Sequence, residues 1–218
     1  MSLARLKSLD PPHKGLRNAL AQFSLLAGKT DYGNNISVKR LQELGEEVFH
    51  LLYDHTQTED NYILKPLEDK IPGSAEKESA EHIEITALEN KLKKQLDAFD
   101  GTQDNEIGHA FYLQFTEFHS RYLLHIAEED HHTEKRMQEY FTDEELIGHQ
   151  VTIMQHMNFT TLLLWFKYIV PARRLEENRQ VLEAFKANAP AEAFSMVKQT
   201  IQAVLAEEDF NLLMKGWD

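Results

Sequence analysis

The chain has 218 residues, of which 42% are hydrophobic and 27% are charged, with a formal net charge of −13 and no cysteine. This length can bury one substantial core, and the absence of cysteine excludes disulfides, thiolate metal ligands and cysteine nucleophiles. The negative charge repels phosphate backbones, so we expect no nucleic-acid partner. The most apolar run, residues 162–170, is far shorter than the ~20 residues of a membrane span. We therefore expect no membrane insertion and a cytoplasmic location.

The residue types predict an all-α fold. The sequence contains only nine Gly and six Pro, and it is rich in Leu, Ala, Glu, Gln and Lys, which favour helices. No stretch alternates between apolar and polar residues as a half-buried strand does. We expect an up-down four-helix bundle followed by a C-terminal helical extension.

The first helix is predicted to begin at Asp10-Pro11-Pro12 and to end near Gly28. Aspartate is a good N-cap, and proline is tolerated in the first turn, where backbone N–H groups have no helical partner. His13 shares one face of this helix with three apolar residues, Leu16, Leu20 and Phe23. A face of this composition is expected to be buried.

In each of the next three helices the candidate ligands continue an apolar face. The second helix is predicted from a cap at Ser37 to Pro66 and Pro72, the third over about residues 75–100, and the fourth over about residues 105–140. Short connections between four such helices make consecutive helices antiparallel, and their apolar faces converge in the interior of the bundle.

The extension begins with a capping box, Thr142 with Glu145, at the start of a fifth helix expected to run to about residue 170. Two or three further helices are expected after it. The predicted division of the chain is therefore a metal-binding bundle over residues 1–140 and a helical extension, packed on the bundle, over residues 141–218.

Six side chains on the apolar helix faces have the types and spacing of a metal site. Two side chains four residues apart lie on one helix face, so each HxxxE pair offers an imidazole and a carboxylate to the same site. Such donors suit iron, manganese or zinc, and six of them suit two ions better than one. Two buried ionised glutamates need a counter-charge; otherwise the six residues face water at the end of the bundle. The candidate ligands are His13, His55, Glu59, His82, His125 and Glu129.

A ferritin-like di-iron site is the nearest rival on the same architecture. It needs a Glu from each of two helices and Glu-x-x-His from the other two. Such fragments occur at residues 47–50 and 129–132, but residues 11–30 contain no Asp or Glu. The first helix can therefore contribute a histidine but no carboxylate, and the ferritin-like interpretation fails.

The order of a lone His, an HxxxE pair, a second lone His and a second HxxxE pair resembles the hemerythrin-like family with its HHE cation-binding motifs. The resemblance covers about residues 10–140. It implies a four-helix bundle that binds two iron ions, bridged by Glu59, Glu129 and an oxo or hydroxo group, with the histidines completing each iron. Other divalent metals also fit these donors.

Two positions depart from the oxygen-carrying hemerythrins. Those proteins have a second His one turn after the third-helix His, where this chain has Thr86, and they take the last carboxylate from the position of Asp130. Four His with two Glu look more like the branch associated with iron or nitrosative-stress handling and iron sensing. This set implies an open coordination position that solvent or an exogenous ligand can occupy.

We therefore expect a non-haem di-iron protein that senses or handles a small diatomic ligand, O2 or NO, or iron itself. One alternative is a di-iron oxidoreductase acting on peroxide or NO. Another is a structural or interaction protein whose metal stabilises the bundle. Glu78 and Glu89 are the best spare ligands or hydrogen-bond acceptors beside His82. Tyr62 and Tyr122 are candidate hydroxyls of the pocket wall, but the pattern favours ordinary core aromatics.

Overall fold

The computed structural model describes residues 5–217, and all of the regular structure in that range is helical. The all-α prediction is confirmed. In the same range, none of the helices combines the length and the hydropathy that a membrane span requires. The α-helices are α1 (Asp10–Lys29), α2 (Asn35–Glu59), α3 (Lys65–Lys70), α4 (Glu76–Asp97), α5 (Asn105–Glu128), α6 (Glu134–Tyr140), α7 (Asp143–His156), α8 (Phe159–Ile169), α9 (Leu175–Asn188), α10 (Ala191–Gln202) and α11 (Glu207–Met214).

Four helices, α1, α2, α4 and α5, form a closed ring in which each packs against the next. The connections between them are short, and short connections make consecutive helices antiparallel. The candidate ligands lie near the starts of α1 and α4 and at the ends of α2 and α5. The antiparallel order therefore brings all six to the same end of the bundle.

The rest of the bundle interior is filled by apolar side chains, many of them aromatic. Phe23 of α1 packs against Phe115 of α5 with ring centroids 4.4 Å apart, and against Phe49 of α2 at 6.0 Å. Each buried side chain of this size stabilises the fold by roughly 1.5–3 kcal/mol relative to an exposed one. This core fixes the spacing of the helices that carry the candidate ligands.

Two π-helical segments follow the HxxxE pairs. The first, Asp60–Leu64, joins α2 to α3, and the second, Glu129–Thr133, joins α5 to α6. The prediction that Pro66 closes the second helix is wrong, because Pro66 lies in the first turn of α3, where a missing N–H is tolerated. The fourth predicted helix also differs from the prediction, because the π-helical segment Glu129–Thr133 divides it into α5 and α6. Single π turns of this kind are frequent at functional sites.

The N-terminus of α1 is capped differently from the prediction. Leu9 is the capping residue, and Asp10 is the first residue of the helix without a side-chain cap bond. The carboxylate of Glu134, at the start of α6, instead accepts hydrogen bonds from the backbone N–H groups of Leu9 (2.8 Å) and Ser8 (3.1 Å). A buried side chain from a distant part of the chain therefore orders the start of α1.

The cap of α2 also differs from the prediction. The side chain of Asn34, not Ser37, accepts hydrogen bonds from the N–H groups of Ile36 (3.0 Å) and Ser37 (3.1 Å). Asparagine is as good a cap as serine, and the helix begins three residues earlier than the serine would place it. The predicted capping box of Thr142 is present at the start of α7.

The predicted fifth helix is two helices, α7 and α8, because the chain leaves the helical conformation at Met157 and Asn158. Asn158 caps α8 by accepting a hydrogen bond from the N–H of Thr161 at 2.9 Å. The break turns α8 back onto the bundle, where it packs against α1 and α2.

Helix α8 connects the bundle to the rest of the extension. Trp165 and Tyr168 are buried in the same apolar cluster as the bundle core, whereas Phe166 belongs to a second cluster with α9, α10 and α11. The helices α1 and α8 approach closely at Gly15, where an added Cβ would lie 2.8 Å from the Cγ1 of Ile169. Glycine permits this approach because it has no side chain.

Candidate metal centre

All six candidate ligands meet in the interior at one end of the bundle. Each is buried, from 0% exposed for His13 to 6% for His125. Their ligand atoms form two overlapping groups, and within each group all atoms lie within 4.8 Å of one another. The groups are His13, His55, Glu59 and Glu129, and Glu59, His82, His125 and Glu129.

The two glutamates belong to both groups and lie between histidines from opposite helices of the ring. The Nε2 of His13 is 3.5 Å from Glu59 Oε1 and 3.5 Å from Glu129 Oε2. The Nε2 of His82 is 3.5 Å from Glu59 Oε2 and 3.3 Å from Glu129 Oε1. Two carboxylates shared in this way can each bridge two metal positions.

The two HxxxE pairs act as the helix geometry predicts. On α2, the Nε2 of His55 lies 3.3 Å from Glu59 Oε2, and at the end of α5 the Nε2 of His125 lies 3.1 Å from Glu129 Oε1. Residues four apart on one helix face are neighbours, so each pair brings an imidazole and a carboxylate together without help from tertiary structure.

Three of the histidines are oriented by carboxylates outside the two groups. In each pair the ring Nδ1 lies within hydrogen-bonding distance of a carboxylate, which can only accept, so Nδ1 carries the proton and Nε2 faces the site. Sequence reasoning did not identify these acids for this role, although each is adjacent in sequence to a candidate ligand. The pairs are His13 with Asp130 (2.7 Å), His82 with Asp60 (2.7 Å) and His125 with Glu81 (3.1 Å).

The metal-free site favours protonated histidines. Burial opposes protonation of His13, but the hydrogen bond to Asp130 and the neighbouring Glu59 outweigh it and raise the pKa of His13 to about 10. Burial acts in the same way on His82, where Glu129 and Glu59 raise the pKa to about 11. The pKa of His125 is also raised, against burial, chiefly by Glu129.

The pKa values of His55 and Glu59 are both lowered, for different reasons. Burial lowers the pKa of His55 to about 4, despite the attraction of Glu59, so this imidazole is neutral. Burial alone would raise the pKa of Glu59, but the surrounding histidines hold it well below its usual value. The ionised carboxylate of Glu59 thus lies among protonated histidines, and the site already compensates a buried negative charge with positive charge.

Several buried nitrogen and oxygen atoms of the candidate ligands have no hydrogen-bond partner among residues 5–217. They are the Nε2 atoms of His13 and His55, both carboxylate oxygens of Glu59 and the Oε2 of Glu129. A buried polar atom without a partner costs roughly 1–3 kcal/mol. A metal ion satisfies such atoms by coordination, since neutral Nε2 and carboxylate oxygens are both ligands for first-row metals. The residues fit a cation-binding site.

Glu89 and Tyr122 extend the polar pocket beside His82 and His125. Glu89 is buried on α4, burial raises its pKa to about 7, and its Oε1 has no partner in the described part of the chain. The Tyr122 ring lies 5.9 Å from the His125 ring, and its buried hydroxyl is likewise without a partner there. Burial, followed by the nearby Glu89, raises the pKa of Tyr122.

Other residues considered from the sequence lie outside both groups. Glu78 accepts a hydrogen bond from the Thr133 hydroxyl at 3.1 Å and pairs with Arg136, so it supports the end of the bundle and does not serve as a spare ligand. The Tyr62 ring is only partly buried and lies 5.7 Å from the ring of His156 on α7, so it faces the extension.

A family model described as the hemerythrin HHE cation binding domain matches residues 5–136. The match covers more than half of the chain and includes the four ring helices and both ligand groups. No curated protein and no solved structure matches the chain. The buried His and Glu groups are consistent with metal binding, as the family description is. The chain belongs to the hemerythrin HHE cation-binding domain family.

Proposed function

We propose that this protein binds a non-haem di-iron centre and uses it to sense or handle a small diatomic ligand, O2 or NO, or iron itself. The observation that carries the proposal is the pair of buried ligand groups that share Glu59 and Glu129. In this proposal Glu59 and Glu129 would contribute to the binding of both iron ions. The histidines complete the two positions, His13 with His55 and His82 with His125.

Iron is supported by the chemistry of the donors and by the family. Four imidazoles and two carboxylates, in a chain without cysteine, suit first-row metals of intermediate hardness. When bound, iron would supply redox chemistry and a place at which a small ligand can bind. The chain supplies orientation, because carboxylates hold three of the four histidines, and it supplies an apolar interior that limits the access of water.

The first test is the iron content per chain, with an optical spectrum in air, on protein purified without chelator. The proposal predicts two iron ions per chain and charge-transfer absorption in the near ultraviolet that changes on addition of NO or on removal of O2. Glu129→Ala should lose both the metal and the absorption. Protein that contains no metal, or a single zinc ion, would contradict the di-iron proposal.

A second candidate function, a di-iron oxidoreductase acting on peroxide or NO, is favoured by Glu89 and Tyr122. Reduction of one hydrogen peroxide to two waters consumes two electrons and two protons. Bound iron would supply the electrons, and the carboxyl of Glu89 and the hydroxyl of Tyr122 are buried groups beside the site that can provide protons. Neither is among the six candidate ligands.

Steady-state turnover separates this candidate from a sensor. With peroxide and an added reductant, an oxidoreductase turns over many times per chain, and Glu89→Gln lowers the rate while the iron content stays unchanged. Glu84→Gln, an exposed glutamate on the same helix, is the matched control and should have no effect. A single oxidation of the iron without repeated turnover would favour sensing or iron handling over catalysis.

A further inference from the structure

The acids that orient the histidines connect neighbouring helices of the ring, always in the same direction around it. Each acid is adjacent in sequence to a candidate ligand, and it holds a histidine on the next helix, from the end of α2 to α4, from α4 to α5, and from the end of α5 to α1. The three acids are Asp60, Glu81 and Asp130.

For the remaining pair of neighbouring helices, α1 and α2, no acid on α1 holds the histidine of α2 within the described residues. Residues 11–30 contain no Asp or Glu, so α1 offers no carboxylate beyond His13. Among residues 5–217, no carboxylate bonds the Nδ1 of His55, whose contact with Glu59 is made through Nε2. His55 therefore differs from the other three histidines in what holds its ring.

The extension contacts His55 instead. The buried Trp165 of α8 meets the His55 ring edge to face, with centroids 6.4 Å apart and planes at 66°. Its Nε1–H donates a hydrogen bond of 2.8 Å to Oδ2 of Asp54, the residue before His55. Trp165 thus contacts the imidazole directly and also binds the carboxylate of the adjacent residue, Asp54.

Further contacts attach α8 to the same stretch of α2. Glu47 accepts hydrogen bonds from the Tyr168 hydroxyl and the Lys167 ammonium group, and the Nε2 of His50 lies 2.8 Å from the Thr161 hydroxyl oxygen. These contacts lie on the two turns that precede His55. The position of the His55 side chain therefore depends on the docking of α8.

We propose that Trp165 is a positioning residue for His55, and that the extension thereby controls metal loading of the half of the site formed by His13 and His55. The inference rests on the proposed di-iron function. In the half formed by His82 and His125, carboxylates hold both histidines, whereas in the other half a carboxylate holds one. The first ion therefore binds beside His82 and His125, and the second binds beside His13 and His55 when α8 is docked.

The experiment is an anaerobic Fe²⁺ titration of the full chain, with bound metal measured at each step. Wild type should bind two ions in two distinguishable steps. Trp165→Leu should keep the first step and weaken the second by roughly 10–100-fold, the usual effect of removing a group that orients a ligand. Trp165→Phe, which keeps an aromatic ring against His55, should restore most of the affinity. Phe166→Leu, a change in the other cluster of α8, should alter neither step.

A double-mutant cycle identifies the histidine through which Trp165 acts. His55→Ala combined with Trp165→Leu should bind metal no more weakly than His55→Ala alone, because the two changes affect one interaction. The combination with His125→Ala should be additive. Asp54→Ala is the second variant if Trp165→Leu does not fold, and it should weaken the second step in the same direction.

The outcomes separate this inference from the function on which it rests. Wild type that binds fewer than two Fe²⁺ ions would overturn the proposed di-iron function, and the inference with it. Two ions bound by wild type, with both steps unchanged in Trp165→Leu and Asp54→Ala, would overturn the inference alone. Equal weakening of both steps, reproduced by Phe166→Leu, would also overturn it, since it would mean that α8 supports the whole bundle and not His55.

Discussion

The protonation of individual histidines in the metal-free protein predicts how the metal affinity depends on pH. His13 and His82, with pKa values raised to about 10 and about 11, are protonated at neutral pH, but a histidine must be neutral to bind metal. Metal uptake therefore displaces protons. The apparent affinity should rise continuously with pH from about 6 to about 9, instead of levelling above the ordinary histidine pKa of about 6.5.

Isothermal titration calorimetry in buffers of different ionisation enthalpy measures this release directly. The heat of metal binding should change with the buffer in the direction of protons leaving the protein. Equal heats in all buffers at neutral pH would show that the histidines are already neutral, and would contradict the charge distribution described for the metal-free site.

A single substitution tests whether His55 is a metal ligand. His55→Ala removes a buried Nε2 that lies 3.3 Å from Glu59, and we expect it to lose at least one of the two metal ions. His132→Ala is the control, because that side chain is 67% exposed and pairs with Glu128 at the surface. Metal analysis of the two purified variants makes the comparison. Full metal content in His55→Ala would remove this residue from the site.

Among the elements, α1 depends on a cap from α6. Glu134→Ala removes the acceptor of the N–H groups of Ser8 and Leu9 and leaves them without that partner. We expect the free energy of unfolding to fall by about 1–3 kcal/mol, as measured by urea denaturation. Glu139→Ala, on the exposed side of the same helix, should change it by about 0.5 kcal/mol or less. Equal effects of the two changes would contradict the capping role.

A second prediction concerns the close contact between α1 and α8. Gly15→Ala places a Cβ 2.8 Å from Ile169, so α8 must shift, at an expected loss of about 1–3 kcal/mol in the free energy of unfolding. Gly148→Ala on α7 meets no atom within 4 Å and should instead be neutral or stabilising by up to about 1 kcal/mol. Thermal denaturation of both variants compares them, and a stabilised Gly15→Ala would show that α8 is not closely docked.

At the scale of the whole molecule, the ring helices bury a large apolar cluster that does not depend on metal. In the metal-free protein, protonated histidines already compensate the ionised Glu59. We therefore expect chelation to lower the melting temperature while the far-ultraviolet helical signal at room temperature stays. An excess of metal at about 100 times Kd would restore about 2.7 kcal/mol. Complete unfolding on chelation would instead favour the structural role.

The division of the chain at residue 140 stays a prediction. Within the described residues, α8 shares its apolar cluster with the bundle and its other face with α9, α10 and α11. The extension is therefore joined to the bundle by side chains that both parts bury, in addition to the chain connection. This packing is what places Trp165 beside His55.

The amino-acid sequence is sufficient to predict the helical fold, the four ring helices and the residue types of the candidate site. These depend on local geometry: apolar residues at helical spacing predict a buried face, and two residues four apart on a helix are neighbours wherever the helix packs. The same rule placed His55 with Glu59, and His125 with Glu129. The short connections then predicted that the faces carrying the six side chains converge in the interior of the bundle.

The tertiary structure alone decided which groups support that site. Asp60, Glu81 and Asp130 each hold a histidine from another helix, and no local rule predicts which helix the side chain of such an acid will reach. The hydrogen bonds from Glu134 to the start of α1 are also contacts between distant parts of the chain. The contact of Trp165 with His55 joins residues more than a hundred positions apart, and only the docking of α8 creates it.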